Sequence, residues 1–144
     1  MARLKIELPE KLLTSVSIPV RITDINYGDH VGNNSIVGII HEARVQFLQQ
    51  HGFTELNIGG SGLIISELSV EFKNESFYGD LLQVKVFCGE ITRIAFELFY
   101  QISVKRNERS VIIANAKTGM VCYDYSAKKV RAVPEELRKI LLGK

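Results

Sequence analysis

The sequence predicts an α+β fold, with one long apolar helix laid against an antiparallel sheet. Three observations predict it. Apolar residues recur at helical spacing between Asn34 and Gln50. Long strand-like runs then fill the chain from Leu63 to Tyr125. The breaks between those runs are short, so neighbouring strands are expected to be antiparallel. A length of 144 residues suits one domain, spanning 1–144, with enough chain for a substantial core.

Val16, Ile18, Val20 and Ile22 alternate with Ser17, Pro19, Arg21 and Thr23, the period of a half-buried strand. Pro19 cannot donate to a ladder, which assigns this strand to an edge or a bulge. In the helix, Ile36, Ile40, Ala43 and Phe47 form the stripe, and Val37, Ile39 and Leu48 widen it. Asn33, Asn34 or Ser35 would cap its start, and Gly52 after His51 would stop it. Leu63 to Phe72 reads as one strand. Leu82, Val84, Val86 and Cys88 mark the next, which should break at Cys88-Gly89-Glu90. Ile94, Phe96, Leu98, Tyr100, Ile102 and Val104 share one face of a third, and Val111 to Tyr125 forms a fourth. Pro134 opens a final helix, Glu135 to Leu142, with acids early and bases late as the helix dipole prefers. A single sheet with long strands leaves an edge for a second subunit, so a homodimer is expected.

Composition removes several function classes. Hydrophobic residues at 46% and charged residues at 24% exclude a disordered chain. A net charge of +2, without a basic stripe, argues against nucleic acid as a partner. Lys105 to Arg109 reads as a hairpin tip whose small basic patch could still touch a phosphate. Cys88 and Cys122 lack metal-ligand spacing, so no metal is expected and both should be buried thiols. MARLKIELPEKLL has no apolar stretch of signal-peptide or membrane-spanning length, which makes the cytoplasm the expected location.

The polar segment TDINYGDHVGNN, residues 23–34, stands between two apolar elements. Asp24-Ile25-Asn26 and His30-Val31-Gly32-Asn33 precede the helix, which carries Glu42-Ala43-Arg44. In this order and spacing the stretch from Arg21 to Leu48 resembles the hotdog-fold acyl-CoA thioesterases of the 4-hydroxybenzoyl-CoA thioesterase type. Ser66 to Phe72 and the Gly79-Asp80 turn resemble them more loosely. The resemblance implies a hotdog fold, in which an antiparallel sheet of about five strands wraps a central helix. It also implies an acyl-CoA substrate, fatty or aromatic, no cofactor beyond the coenzyme A of that substrate, and a homodimer or dimer of dimers. Asn26 stands where several family members carry the carboxylate that directs water, Asp29 replaces a Gly, and Gly32 replaces an Asn.

Thioester hydrolysis requires a polarised carbonyl, an oriented water and relief for the charge of the tetrahedral intermediate. The loop holds group types for each task. Asp24 or Glu42 is expected as base, Asn26 and His30 as the groups that position water and carbonyl, and the amides from Gly32 through Asn33 to Asn34 as oxyanion donors. Asp24 could equally close a turn, and Glu42 could form a structural ion pair on or beside the apolar face. Glu67 could enter a site across a dimer interface, and Arg93, Lys105 or Arg106 could meet the substrate phosphates. His41 and His51 read as surface residues. Two alternatives come from other classes: an enoyl-CoA hydratase or dehydratase on the same fold, and a non-catalytic acyl-CoA-binding module.

Overall fold

The computed structural model describes residues 4–144, so the first three residues of the N-terminal stretch read above lie outside it. Strands β1 (Lys11–Pro19), β2 (Gly62–Phe72), β3 (Leu81–Ile91), β4 (Ala95–Arg106), β5 (Arg109–Asp124) and β6 (Lys129–Val130) form one sheet. Helix α1 (Asn33–Gln49) follows β1, and α2 (Glu135–Leu142) ends the chain. The sheet order is β1-β3-β4-β5-β2, every pairing is antiparallel, and the short β6 joins β5. Both β1 and β2 are therefore edge strands, and β1 carries a bulge between Leu12 and Thr14 as Pro19 suggested.

Three boundaries differ from the sequence reading. The first strand begins earlier, at Lys11, and the chain from Ile22 to Asp24 is a 3-10 turn rather than strand. Alternation alone cannot tell a strand end from a tight turn with an outward Ile22. The expected break at Cys88-Gly89-Glu90 is absent: β3 runs through it to Ile91, with the pairing slipping between Cys88 and Ile91. The turn falls later, where the Thr92 hydroxyl and amide meet Ala95. Gly89 lies in the strand because Phe99 and Glu97 of β4 lean over it, where a side chain would collide. Finally, neither Asn33 nor Asn34 caps α1. Gly32 occupies that position without any side-chain cap.

The apolar face of α1, made of Ile36, Ile39, Ile40, Ala43, Phe47 and Leu48, is buried. It meets the alternating inward residues of the sheet: Leu82, Val84 and Val86 of β3, Phe96 to Ile102 of β4, and Ala114, Ala116 and Met120 of β5. Each large side chain buried there contributes about 1.5–3 kcal/mol. The helix packs nearest β1 and β3. On its other flank Val37, Leu68 and Phe72 remain about 40% exposed beside the free edge of β2. A trough is left between α1 and β2.

The Arg44 guanidinium is buried against this core. Arg44, 2% exposed, donates from Nε to Glu55 Oε2 at 2.7 Å and from Nη1 to Tyr100 Oη at 3.3 Å. The Tyr100 hydroxyl shares a 2.7 Å hydrogen bond with Thr118, and His41 meets the second Glu55 oxygen. Burial works against the Glu55 carboxylate, but the hydrogen bond and charge of Arg44, then those of His41, outweigh it and hold its pKa below the ordinary 4.5. A carboxyl with a depressed folded-state pKa adds stability above its unfolded pKa, and that stability is lost as pH falls through the folded value. The thermal midpoint should therefore drop on acidification below about pH 4.5. Glu55→Gln should flatten that limb of a melting-temperature profile, and an unchanged slope would remove Glu55 from the account.

Candidate active site

The loop from Arg21 to Gly32 is held by its own backbone. Asp24 N–H donates to Arg21 O at 2.9 Å, Asn26 N–H to His30 O at 2.9 Å, and Gly32 N–H to Asp24 O at 3.0 Å. Val31 N–H reaches Ser76 O at 2.8 Å, tying the loop to the segment after β2. The Asp24 side chain is buried and closes its turn, accepting from Arg21 N–H at 2.8 Å and from the Arg21 guanidinium at 3.5 Å. Asn26 Oδ1 accepts from Gly28 N–H at 2.9 Å, an Asx turn. Asp29 adopts φ 63°, the left-handed region that favours glycine.

His30 is half-buried. Its Nδ1 lies 3.1 Å from Val31 O, a contact that only the Nδ1–H tautomer can make. The free Nε2 then faces Glu75, 4.0 Å away. Gly28 gives the ring its place, since a Cβ there would stand 2.9 Å from Nε2.

At the start of α1 the unfilled cap leaves amides available. Ser35 and Ile36 N–H bond back to Gly32 O, whereas Asn33 and Asn34 N–H have no acceptor among the described residues. Asn34 Oδ1 and the Asn26 side chain flank Gly32 at this end, within 3.0 and 3.6 Å of where a Gly32 Cβ would sit. Two exposed donors at the positive end of a helix suit a developing oxyanion.

The four side chains expected to act in catalysis divide between the flanks of α1. Asp24 and Glu42 border a cleft on the β1 side, with Arg21, Gly38 and Ile39. His30 and Asn33 border one on the β2 side, with Ile36, Phe72, Asn74 and Glu75. Asn26 lies at the helix start between them. Glu42 is not on the apolar face: it is exposed and accepts from Gln46 at 2.7 Å, one helical turn on. Its helical position, two residues past Ile40 and one before Ala43, takes it off the buried stripe toward solvent. Glu67 pairs with Lys117 at 3.0 Å, which also holds Glu97 at 2.9 Å, on the sheet face away from the helix. Arg93 is exposed in the β3–β4 turn, at the far end of β3 from Asp80 and the loop, roughly 30 Å off at strand rise. Arg106 is held at 2.7 Å by Asp80 at the base of the hairpin tip.

A model of the thioesterase-like superfamily matches residues 20–141. The chain belongs to that family. Its class is thioester hydrolase and its fold the hotdog fold. A 1,4-dihydroxy-2-naphthoyl-CoA hydrolase from Nostoc punctiforme is 28% identical over 124 residues, covering 82% of this chain and 79% of the relative. The crystal structure of a 1,4-dihydroxy-2-naphthoyl-CoA thioesterase from Synechocystis superposes with a TM-score of 0.79 at 22% identity, covering 89% and 94% of the two chains. A gentisyl-coenzyme A thioesterase superposes with a TM-score of 0.76 at 21% identity, covering 89% and 99%. These likenesses in structure are likenesses of fold.

Two features of this thioesterase-like chain escaped the sequence reading. Glu75 follows Lys73-Asn74 in a polar segment with no periodicity, and only the bond from Val31 to Ser76 brings it to His30. Glu55 looked like an ordinary loop acid. Its one sequence signal was Arg44, a cation amid apolar helix positions that needed a partner.

Asp29 offers a stability test. A non-glycine residue in the left-handed region costs about 1 kcal/mol. Asp29→Gly should therefore raise the thermal midpoint by a few degrees, roughly 2–4 °C. A fall would mean that the Asp29 side chain holds the turn.

Proposed function

We propose that the chain hydrolyses an acyl-CoA thioester, fatty or aromatic, to the free acid and coenzyme A, at the N-terminus of α1 on its β2 flank. The observation that carries this reading is the uncapped start of α1, where the Asn33 and Asn34 amides lie beside Asn26 and His30. The thioester carbonyl accepts from those two amides. Attack by water converts it to an oxyanion, which the amides and the helix dipole favour more than the neutral carbonyl. His30 Nε2 takes the proton from the attacking water, and Glu75 at 4.0 Å offsets the charge that the imidazole gains. The tetrahedral intermediate collapses by breaking the C–S bond, and the coenzyme A thiolate leaves. Asn26, tied through Oδ1 to Gly28, keeps its amide nitrogen for the water or the carbonyl.

Asp24 is committed to its turn, and Glu42 faces the other flank. Neither supplies the base in this reading. His30→Ala should lower kcat/KM about 10²-fold or more, and Asn26→Ala about tenfold, in a thiol-release assay over a panel of acyl-CoAs. Glu42→Ala should stay within about threefold of wild type. An equal loss at Glu42 would return the base to that carboxylate. Hydration of an enoyl-CoA without thiol release would move the chain to the hydratase class, and binding with neither reaction to a non-catalytic module.

The active form in this reading is a homodimer joined along β2. Between the two edges, β2 is the one whose inward residues, Ile65, Leu68 and Phe72, are left more than 40% exposed. Its start lies near Gly60, which accepts from Arg131, and near Arg93, whose carbonyl accepts from Val133. Its end lies against the catalytic loop. Antiparallel pairing of two β2 strands about a two-fold axis therefore brings the Arg93 and Arg131 end of one copy beside the loop of the other. Those two cations then meet the substrate phosphates. Sedimentation should give twice the mass of one chain, and Ile65→Lys should yield monomers with thiol release reduced at least tenfold. Fully active monomers would overturn the shared site.

A further inference from the structure

Between β2 and β3 the chain runs from Lys73 to Asp80 without helix or strand, yet this segment presents Glu75 and Ser76 to the catalytic loop. What holds it therefore decides the geometry of the site. Its first part hangs on β5. Lys73 and Asn74 N–H donate to Ile113 O, and the Asn74 side-chain amide donates to Ile112 O at 2.7 Å. Its second part hangs on one ion pair. Arg106, the last residue of β4, donates from Nη2 to Asp80 Oδ2 at 2.7 Å and to Glu75 O at 3.0 Å. The same Asp80 oxygen accepts from Ser76 Oγ at 3.0 Å and from Phe77 N–H at 2.9 Å. The guanidinium carbon also stands 5.1 Å from the centre of the Phe77 ring. Burial works against the Asp80 carboxylate, but the Phe77 amide, then Arg106 and Ser76, outweigh it and hold its pKa below the ordinary 3.8.

From this pair the contacts run without a gap to the imidazole. The carbonyl of buried Ser76 accepts from Val31 N–H at 2.8 Å, and Val31 O takes the His30 Nδ1–H at 3.1 Å. Glu75, whose carbonyl Arg106 holds, places Oε1 4.0 Å from His30 Nε2. Both ring nitrogens of His30 thus depend on the segment, Nδ1 through Ser76 and Val31, Nε2 through Glu75. Arg106 also lines a basic cavity with Lys5, Lys73 and Arg109, where an outside anion could be met. Its charge is already offset by Asp80, however, and both N–H groups of Nη2 are spent inside the protein. A holding role accounts for this geometry better than capture of a phosphate.

We propose that Arg106 and Asp80 are positioning residues of the reaction, a clamp that sets the His30 imidazole and the Glu75 carboxylate at the reacting centre. The inference rests on the hydrolytic reading of the same site. The pair acts through Glu75, Ser76 and Val31 and takes no part in bond making or breaking. A catalytic group misplaced by about 1 Å can cost about 10²-fold in rate, so the clamp governs kcat rather than substrate binding.

Paired substrates separate this role from phosphate binding: one acyl group carried on coenzyme A, and the same group on N-acetylcysteamine, which has no phosphate. Arg106→Met should lower kcat about tenfold or more on both, with KM within about threefold of wild type. Asp80→Asn should do the same, and the double variant should lose no more than the worse single one, since the two residues act as a unit. If Arg106→Met does not fold by circular dichroism, Arg106→Lys serves. It keeps the charge without the planar fork and should lose roughly fivefold or more in kcat on both substrates. A loss confined to the coenzyme A substrate, or to KM, would give Arg106 to phosphate binding and overturn the clamp. A kcat within about twofold of wild type on both substrates would overturn it too. Hydrogen exchange of the Val31 amide is read in parallel and should quicken about tenfold or more in each variant. Quicker exchange beside a wild type that releases no thiol keeps the clamp and rejects hydrolysis. Unchanged exchange rejects the clamp at any rate of hydrolysis.

Discussion

One helix cannot cover this sheet. Strands spaced about 4.8 Å apart make a layer of five roughly 20 Å wide, and a helix with its side chains covers only about 10–12 Å. Helix α1 packs nearest β1 and β3, so the uncovered width falls at β2. Leu68 and Phe72 point inward yet stay about 43% exposed, and Val37 on the helix borders the same cleft as Leu68. Without a second layer at that edge the hydrophobic driving force is left incomplete. In the homodimer proposed above, the two-fold partner completes it and roofs the trough in the same event, so that assembly and substrate site go together.

The same offset sorts the chemistry. A loop that enters the helix from β1 and hands its end to the segment after β2 must cross the helix start. Its first half then belongs to the closed flank and its second half to the open one. Asp24 on the closed side is consumed by Arg21. His30 on the open side keeps Nε2 free because Val31 O occupies only Nδ1. The uncapped amides of Asn33 and Asn34 sit at the crossing, where Gly32 gives no side chain to cover them.

Much of this was legible in the residues. Period-3.6 spacing of Ile36, Ile40, Ala43 and Phe47 marked the buried face of α1, and period-2 alternation marked β3, β4 and β5. Buried thiols at Cys88 and Cys122 agree with their apolar surroundings. What was not legible depended on contacts between residues far apart in the chain. Gly89 read as a break because its strand role is set by Phe99 across the ladder. Asn33 and Asn34 read as caps because cap preference is a local average, while here the loop geometry gave Gly32 that position. Glu42 read as near the core because its neighbours are apolar, but its outward turn is a matter of helical phase. Glu55 and Glu75 carried no pattern, since each gains its role from one partner brought in by the fold, Arg44 and His30.

Asn26 follows from that arrangement. A carboxylate at this position, beside the two free amides of α1, would itself be drawn to the positive helix end and would compete with an oxyanion for the same donors. An amide does not. Its oxygen is already spent on Gly28, and its nitrogen donates without adding charge. The negative charge that a carboxylate would have supplied lies instead at Glu75, one imidazole away from the reacting centre. In the proposed mechanism base and oxyanion donors are thereby separated in space, with His30 carrying the proton between water and solvent and the helix start holding the oxygen. In this frame the exchange of an acid for Asn26 relocates the charge of the site, and hydrolysis remains within reach of the residues present.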